Sequence, residues 1–274
     1  MLRTRVITAV LLLAVLLAVA WSGSKLLFSA VLTAFFAAAA WESLRLFRSP
    51  RPVLSAALWC LPLLWLLLRA DVRTQHLLFM LSAALWLIRF APTLKFGLPE
   101  LSRPANRLMS WVYVLSVLAC FIAIALLYQH SALYLLSVMA IVWIADIGAY
   151  FSGKAFGKRK LAPSISPGKS WEGAIGGWLA VLVIASLSTR LPMLADTFST
   201  HMLHGFGWGG LLLILTALVA ISVAGDLFES MLKRRIGFKD SSSLLPGHGG
   251  VLDRIDALIP VMPLAALLAL SSPL

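Results

Sequence analysis

Charge is scarce in this chain. Only 12% of its 274 residues are Asp, Glu, Lys or Arg, whereas 61% are hydrophobic. A soluble domain carries about a quarter charged residues, so the composition excludes an ordinary soluble globular protein and indicates a polytopic membrane protein. Cysteine is scarcer still, and both Cys60 and Cys120 lie within apolar segments. A thiol in such a place is usually a small hydrophobic core residue, and we expect neither a disulfide nor a cysteine metal site.

The apolar sequence divides into candidate membrane spans at about 6–21, 26–41, 53–68, 76–88, 111–127, 132–151, 174–189, 209–225 and 257–270. We interpret the first as an uncleaved helix rather than a signal peptide. With the N-terminus in the cytoplasm, 19 of the 23 Lys and Arg residues fall in cytoplasmic loops, in agreement with the positive-inside rule. The sequence therefore predicts an all-α membrane protein with about nine transmembrane helices and N-in/C-out topology.

Acidic residues are rarest in the first half of the chain. Residues 1–130 are expected to form an N-terminal transmembrane bundle that serves as a lipid-facing scaffold. Glu42 and Glu100 are the exceptions among its basic cytoplasmic loops, and Arg45 is interpreted as a topological anchor. Residues 131–274 are expected to form the catalytic region, with cytoplasmic loops at 152–173 and 226–256.

The second of these loops is the most polar stretch of the chain. Cations, carboxylates and glycines between two membrane spans are costly unless they bind something charged. The preceding helix is expected to continue to about Ile236 and to stop at Gly237. On that helix Asp226, Ser230 and Lys233 recur at i, i+4 and i+7 and share one face.

Glycines surround a histidine in the loop that follows. They let the backbone approach a ligand closely, so His248 is either a substrate contact or part of a structural turn. Asp253 and Asp256 are predicted to open the last helix at i and i+3. They either complement the helix dipole or, with Asp226 and Asp146, form an all-oxygen site for Mg²⁺.

An ionisable residue inside a membrane span is a functional candidate by default. Asp146 is such a residue, and the alternative is an ion pair with a lysine or arginine on a neighbouring helix. The loop after it, 152–173, is rich in Gly, Ser and Lys and suits a phosphate group. Without a nucleophile beside a general base in the sequence pattern, direct transfer between two substrates is favoured over a covalent enzyme intermediate.

The segment from Ser230 to Asp256, SMLKRRIGFKDSSSLLPGHGGVLDRID, resembles the signature of the phosphatidate cytidylyltransferases, also called CDP-diacylglycerol synthases. The segments 166–173 and 146–150 are similar to regions upstream of that signature, so the resemblance covers residues 140–260. It implies transfer of CMP from CTP to phosphatidic acid, giving CDP-diacylglycerol and pyrophosphate in phospholipid biosynthesis. It also implies Mg²⁺ as cofactor, with K⁺ as a possible second cation.

The resemblance implies roles for individual residues. The implied metal ligands are Asp226, Asp253, Asp256 and Asp146. The implied catalytic residues, most of which would contact phosphates, are Asp226, Lys233, Arg234, Lys239, Asp240, His248, Asp253 and Asp256. The implied substrate-binding residues are Ser166, Lys169, Ser230, Gly249, Gly250 and Arg254.

The expected partners are CTP, phosphatidic acid and membrane lipids, and no nucleic acid. Because CTP is cytosolic, the active site is expected on the cytoplasmic face of the inner membrane. Gly173-x₃-Gly177 allows close helix packing and leaves a homodimer possible. The alternatives are a nucleotidyltransferase for another phosphorylated lipid, such as an isoprenoid phosphate, and a lipid transporter, although transporters usually show paired halves.

Overall fold

The computed structural model of the chain describes residues 22–271 together with Ala14 and Ala18. Within these residues, seven helices are long and apolar enough to cross a membrane, and one shorter apolar helix follows them. The prediction of an all-α polytopic membrane protein is confirmed, whereas the predicted span 6–21 lies outside the described residues except for Ala14 and Ala18. The helices are α1 (Lys25–Leu46), α2 (Pro52–Arg69), α3 (Val72–Phe96), α4 (Pro104–His130), α5 (Ala132–Phe156), α6 (Trp171–Ser188), α7 (Phe198–Arg235), α8 (Leu252–Ile255) and α9 (Leu258–Ser271).

Two helices extend into the segment between the predicted spans 76–88 and 111–127 and shorten the loop there. Helix α3 passes through a π-helical turn, Trp86–Phe90, and continues to Phe96. It ends at Gly97, whose φ of 83° suits a helix C-terminus. Helix α4 then begins with Pro104 at its first position, where proline is well tolerated because its missing N–H has no helical partner.

An aromatic cluster joins three helices in the core. Trp86 and Phe90 of α3, Tyr113 of α4 and Phe228 of α7 have ring centroids between 5.0 and 6.4 Å apart. Helix α9 packs against α3 and α4, so the last helix of the chain rests on the first half. Many large apolar side chains point outward, among them Leu87 at 68% exposure, as the lipid phase requires.

Three loops predicted to face the cytoplasm meet at one end of the bundle. Arg235, at the end of α7, donates to Oδ1 of Asn106 at 2.9 Å and to the carbonyl of Pro99 at 3.2 Å. Arg45, at the end of α1, donates to the carbonyl of Ser241 at 2.9 Å. These contacts agree with the predicted grouping of loops, while the side of the membrane that they face stays a prediction.

The loop 152–173 contains a short hairpin that the sequence analysis did not predict. Strand β1 (Lys160–Ala162) pairs antiparallel with β2 (Ser166–Ser170). Helix α6 begins at the next residue, with Ser170 as its N-cap. The hairpin therefore fixes the Lys169 side chain relative to the start of α6.

The prediction that Asp253 and Asp256 open one continuous helix is wrong. Helix α8 ends at Ile255 and α9 begins at Leu258, with a turn between them. Pro260 accounts for the break, because it lacks the N–H that would donate to the carbonyl of Asp256. That carbonyl instead faces Gly225 of α7, where a Cβ would lie 2.6 Å from it.

Candidate active site

Glycines bring α5 and α6 into close contact beneath the hairpin. A Cβ at Gly177 would lie 2.3 Å from the carbonyl of Ala145, and one at Gly173 would lie 2.8 Å from that of Ala149. These distances leave room for a hydrogen atom but not for a side chain. Gly173 and Gly177 therefore serve the packing of α5 against α6 within one chain, rather than a contact between two chains. The close approach packs Ala145 and Ala149 of α5 against α6, and Asp146 follows Ala145 on α5 with an exposed side chain.

A cavity of about 520 Å³ lies between α5, β2, α6 and α7. Its polar lining includes Asp146, Ser166, Lys169 and Asp226, and its apolar lining includes Ala145, Ala149, Ala174, Val219 and Val223. The volume falls in the range typical of small-ligand sites. A polar group and an apolar chain could therefore both be accommodated in one space.

The polar wall of the cavity is built around one ion pair. The Lys169 ammonium pairs with Oδ2 of Asp226, and the Ser230 hydroxyl donates to Oδ1 of Asp226 at 3.3 Å. The predicted shared face of Asp226 and Ser230 is thus confirmed by direct contact. Within the described residues Asp146 forms no ion pair, so the alternative of a pair with a lysine or arginine on a neighbouring helix is not seen.

Asp256 lies in the turn between α8 and α9, next to α7. Its Oδ1 accepts from the backbone N–H of Ala257 at 2.7 Å. Burial, followed by the nearby carboxylate of Asp226, raises the pKa of Asp256 to about 7. Two half-buried carboxylates held near each other favour a bound cation, which would stabilise both as anions.

Asp253 organises the loop before it. Its carboxylate is 4% exposed and accepts from the Lys233 ammonium at 2.6 Å. It also accepts from the N–H of Gly250 at 2.7 Å and from the N–H and hydroxyl of Ser241, both at 2.8 Å. Although burial alone would raise the pKa of Asp253, the bonds from Lys233 and Gly250 hold that pKa below its usual value.

Lys233 was predicted to share a face with Asp226 and Ser230, but its ammonium group pairs with other residues. It pairs with Glu229, one helical turn before it, and with Asp253. Glu229 is fully buried, and the sequence analysis missed it, although its i,i+4 spacing to Lys233 was a usable signal. The Lys233 charge is therefore balanced within the protein.

Glu42 is the functional candidate that the sequence analysis missed most clearly. It comes from α1, is fully buried, and accepts from the N–H groups of Val251 and Leu252 at 3.2 and 2.6 Å. It also accepts from the hydroxyl of Ser242. Helix α1, predicted to be a scaffold, thus contacts the glycine-rich loop, which is the segment that contains Gly247, Gly249 and Gly250.

The glycine-rich loop depends on its glycines at specific positions. Gly247 and Gly249 have φ of 77° and 80°, which disfavour any side chain with a Cβ. A Cβ at Gly250 would lie 2.1 Å from the Ser241 hydroxyl and 2.3 Å from Oε1 of Glu42. His248 sits in this turn with its Nδ1 buried and without a hydrogen-bond partner in the described structure, which is consistent with a substrate contact.

The other predicted residues surround this centre. Ser166 lies on β2 and lines the cavity. The remaining predicted residues are exposed at the same end of the bundle and are not brought into the cavity: Arg234, Lys239, Asp240 and Arg254.

The predicted Mg²⁺ site stays a prediction, and three carboxylates are the residues that would hold the ion. Asp146 and Asp226 line the cavity, and Asp256 is close enough to Asp226 for its pKa to respond. All three offer carboxylate oxygens, the ligands that this hard ion prefers. Asp253 was also predicted as a ligand; its oxygens are engaged by four donors, and its metal role stays a prediction.

Comparison with known proteins identifies the family of this chain. A model of the cytidylyltransferase family matches residues 3–271. A phosphatidate cytidylyltransferase of Haemophilus influenzae is similar to this chain, with 39% identity over 285 aligned positions that cover 96% of each protein. Proteins of the same name from Pseudomonas aeruginosa and Bacillus subtilis are 52% and 42% identical over 49% and 59% of this chain, and over 46% and 56% of their own lengths. The chain therefore belongs to the cytidylyltransferase family.

Proposed function

We propose that the protein is a phosphatidate cytidylyltransferase, which transfers CMP from CTP to phosphatidic acid and releases pyrophosphate. The name and coverage of the Haemophilus influenzae relative support this substrate pair. The observation that carries the proposal is the position of Asp226, whose carboxylate faces a cavity with an apolar wall and lies near the half-buried Asp256. A lipid phosphate and a nucleotide phosphate can meet there.

The proposed reaction is a direct displacement. An oxygen of the phosphatidate phosphate attacks the α-phosphorus of CTP, forming a new P–O bond. The bond from that phosphorus to the β-phosphate bridging oxygen breaks, and pyrophosphate leaves with the electron pair. Catalysis of this kind depends on positioning the two phosphates and on balancing their charge.

The cavity is assigned to the lipid. Its apolar wall, with Val219 and Val223, suits the glycerol backbone and the first acyl carbons. Lys169 and Ser166 project from β2 into the same space and would bind the lipid phosphate. As the phosphate approaches, the Lys169 ammonium can contact it while remaining near Asp226.

The nucleotide is assigned to the side of Asp226 that faces the glycine-rich loop. Gly249 lets the backbone come close to a phosphate, and His248 has an unpartnered ring nitrogen in the same turn. Mg²⁺, held by Asp226 and Asp256 with Asp146 nearby, would neutralise triphosphate charge. Asp253 is assigned to hold the loop in shape rather than to bind the ion.

The proposed location is the cytoplasmic face of the inner membrane. The loops that meet at the active-site end are those with most of the lysines and arginines, and the positive-inside rule then orients this end toward CTP. A single chain supplies every residue assigned above.

The test is synthesis of CDP-diacylglycerol by purified protein in lipid nanodiscs with CTP, Mg²⁺ and phosphatidate. Asp226→Asn and Asp256→Asn are expected to abolish product formation. Asp71→Asn is the matched control, because Asp71 is an exposed N-cap on α3 and asparagine caps equally well. Absence of product from the wild type, or a faster reaction with an isoprenoid phosphate, would overturn the substrate assignment.

A further inference from the structure

A second group of potential metal ligands lies away from the proposed active site. His130 ends α4, Asp196 lies in the connection between α6 and α7, and His201 lies in the first turn of α7. The Nε2 atoms of His130 and His201 lie 2.9 and 3.3 Å from the same atom, Oδ1 of Asp196. The three ligand atoms all lie within 4.8 Å of one another, so they converge on one point.

This cluster is at the opposite end of the bundle from the carboxylates. The N-terminal end of α4 is held to the end of α7 by the bond between Asn106 and Arg235, near the proposed active site. Because an α-helix rises about 1.5 Å per residue, the 27 residues of α4 place His130 roughly 40 Å from that end. An ion bound at His130 is therefore separate from the Mg²⁺ site.

Neighbouring groups hold the cluster in position. The Ser131 hydroxyl donates to Oδ2 of Asp196, which leaves Oδ1 facing the two imidazoles. Ser131 is itself fixed as the N-cap of α5, since it accepts from the N–H of Tyr134 at 3.0 Å. The Tyr134 ring packs edge-on against both imidazoles, at 4.5 and 5.2 Å between centroids. Such outer contacts orient the ligands of metal sites in proteins.

We propose that His130, Asp196 and His201 form a site for a transition-metal dication, with Zn²⁺ as the ion that fits best. Two imidazole nitrogens and one carboxylate oxygen are a donor set typical of zinc, whereas Mg²⁺ prefers oxygen alone. The N–O separations of 2.9 and 3.3 Å are close to the edge of a tetrahedron with bonds of about 2.0–2.1 Å, which is roughly 3.3 Å.

The site is open to an ion from solvent. The three side chains are 35%, 45% and 25% exposed for His130, Asp196 and His201, so a water molecule can complete the fourth coordination position. The bound ion joins the α4–α5 connection to the α6–α7 connection. Its expected effect is to stabilise this end of the bundle.

Zinc binding by the full-length protein, purified without a polyhistidine tag, tests the proposal. The titration is done in excess Mg²⁺, which keeps Zn²⁺ away from the carboxylate cluster, and is followed by calorimetry and by the visible absorption of Co²⁺ as a substitute ion. We expect one saturable site per chain and a melting temperature that rises with Zn²⁺. The double variant His130→Ala/His201→Ala is expected to lose both effects.

Two further variants separate a metal site from a hydrogen-bond network. Asp196→Asn keeps an acceptor oxygen for the histidines and is expected to fold normally, yet it removes the anionic ligand and should lose the saturable site. Ser131→Ala is expected to weaken Zn²⁺ binding about 10- to 100-fold.

His204→Ala is the matched control. His204 lies three residues after His201, is exposed and is outside the cluster, so this variant should bind Zn²⁺ like the wild type. Equal Zn²⁺ affinity in the wild type and Asp196→Asn, or no saturable site in the wild type, would overturn the proposal. The readout is metal binding rather than CDP-diacylglycerol, so its outcome is independent of the proposed function.

Discussion

Replacing Glu42 with glutamine tests whether helix α1 takes part in building the active site. Glu42 is fully buried, and its two oxygens accept from two backbone N–H groups and one hydroxyl. In Glu42→Gln one oxygen becomes an NH₂ group. In the better orientation the Ser242 hydroxyl turns to accept from that NH₂, and the N–H of Val251 loses its acceptor.

The expected cost follows from that count. A buried donor left without an acceptor costs about 1–3 kcal/mol. Because each 1.36 kcal/mol corresponds to a factor of ten, a loop that must be docked for catalysis would lose roughly 5- to 150-fold in activity. The assay is the initial rate of CDP-diacylglycerol formation, together with amide hydrogen exchange at residues 250–252.

Glu100→Gln is the control for this change. Glu100 is also an acidic residue in the first half, but its side chain is 67% exposed and its ion pair with Arg103 is on the surface, where such pairs contribute little. It should leave activity and exchange unchanged. If Glu42→Gln were within twofold of the wild type, with unchanged protection of Val251 and Leu252, the role assigned to Glu42 would be refuted.

Three further predictions concern the cavity and its supports. Lys169→Met should lower the rate of CDP-diacylglycerol formation about 100-fold or more, because a phosphate contact is lost. Lys158 has an exposed side chain just before the hairpin, so Lys158→Met should have a nearly normal rate. Gly177→Ala should lower the free energy of unfolding by about 1–3 kcal/mol, because the added methyl group overpacks against Ala145. A Cβ at Gly209 would meet nothing within 4 Å, so Gly209→Ala should leave that free energy unchanged. Thermal unfolding in detergent measures both. In EDTA, the pKa of Asp256 is raised to about 7, so the folded protein keeps this carboxyl protonated at a pH where the unfolded chain does not. The resulting contribution to stability is complete below about pH 4 and is lost as the pH rises through about 7. The melting temperature should therefore fall less between pH 5 and 8 in Asp256→Asn than in the wild type, and equal slopes would contradict the assigned environment.

The sequence was sufficient for the parts of the structure that depend on local pattern. Hydropathy located all eight apolar segments that fall within the described residues, and helical spacing placed Asp226 beside Ser230. The break before α9 was also within reach, because Pro260 removes the N–H that the carbonyl of Asp256 would need.

Contacts between distant segments were not within reach. Glu42 contacts residues about 200 positions later in the chain, and a single glutamate in a basic loop does not indicate its partner. The same holds for His130 and Asp196, which are 66 residues apart. Such pairs depend on how helices are arranged around α4, and periodicity within one helix does not contain that information.

The most direct test of the account follows the phosphates of CTP. Purified protein in nanodiscs is given phosphatidate, Mg²⁺ and CTP labelled at either the α- or the γ-phosphate. The account predicts that the α-label enters the lipid, that the γ-label appears in pyrophosphate in equal amount, and that Asp256→Asn abolishes both. Transfer of the γ-label to lipid, or movement of lipid across the bilayer without consumption of CTP, would contradict it.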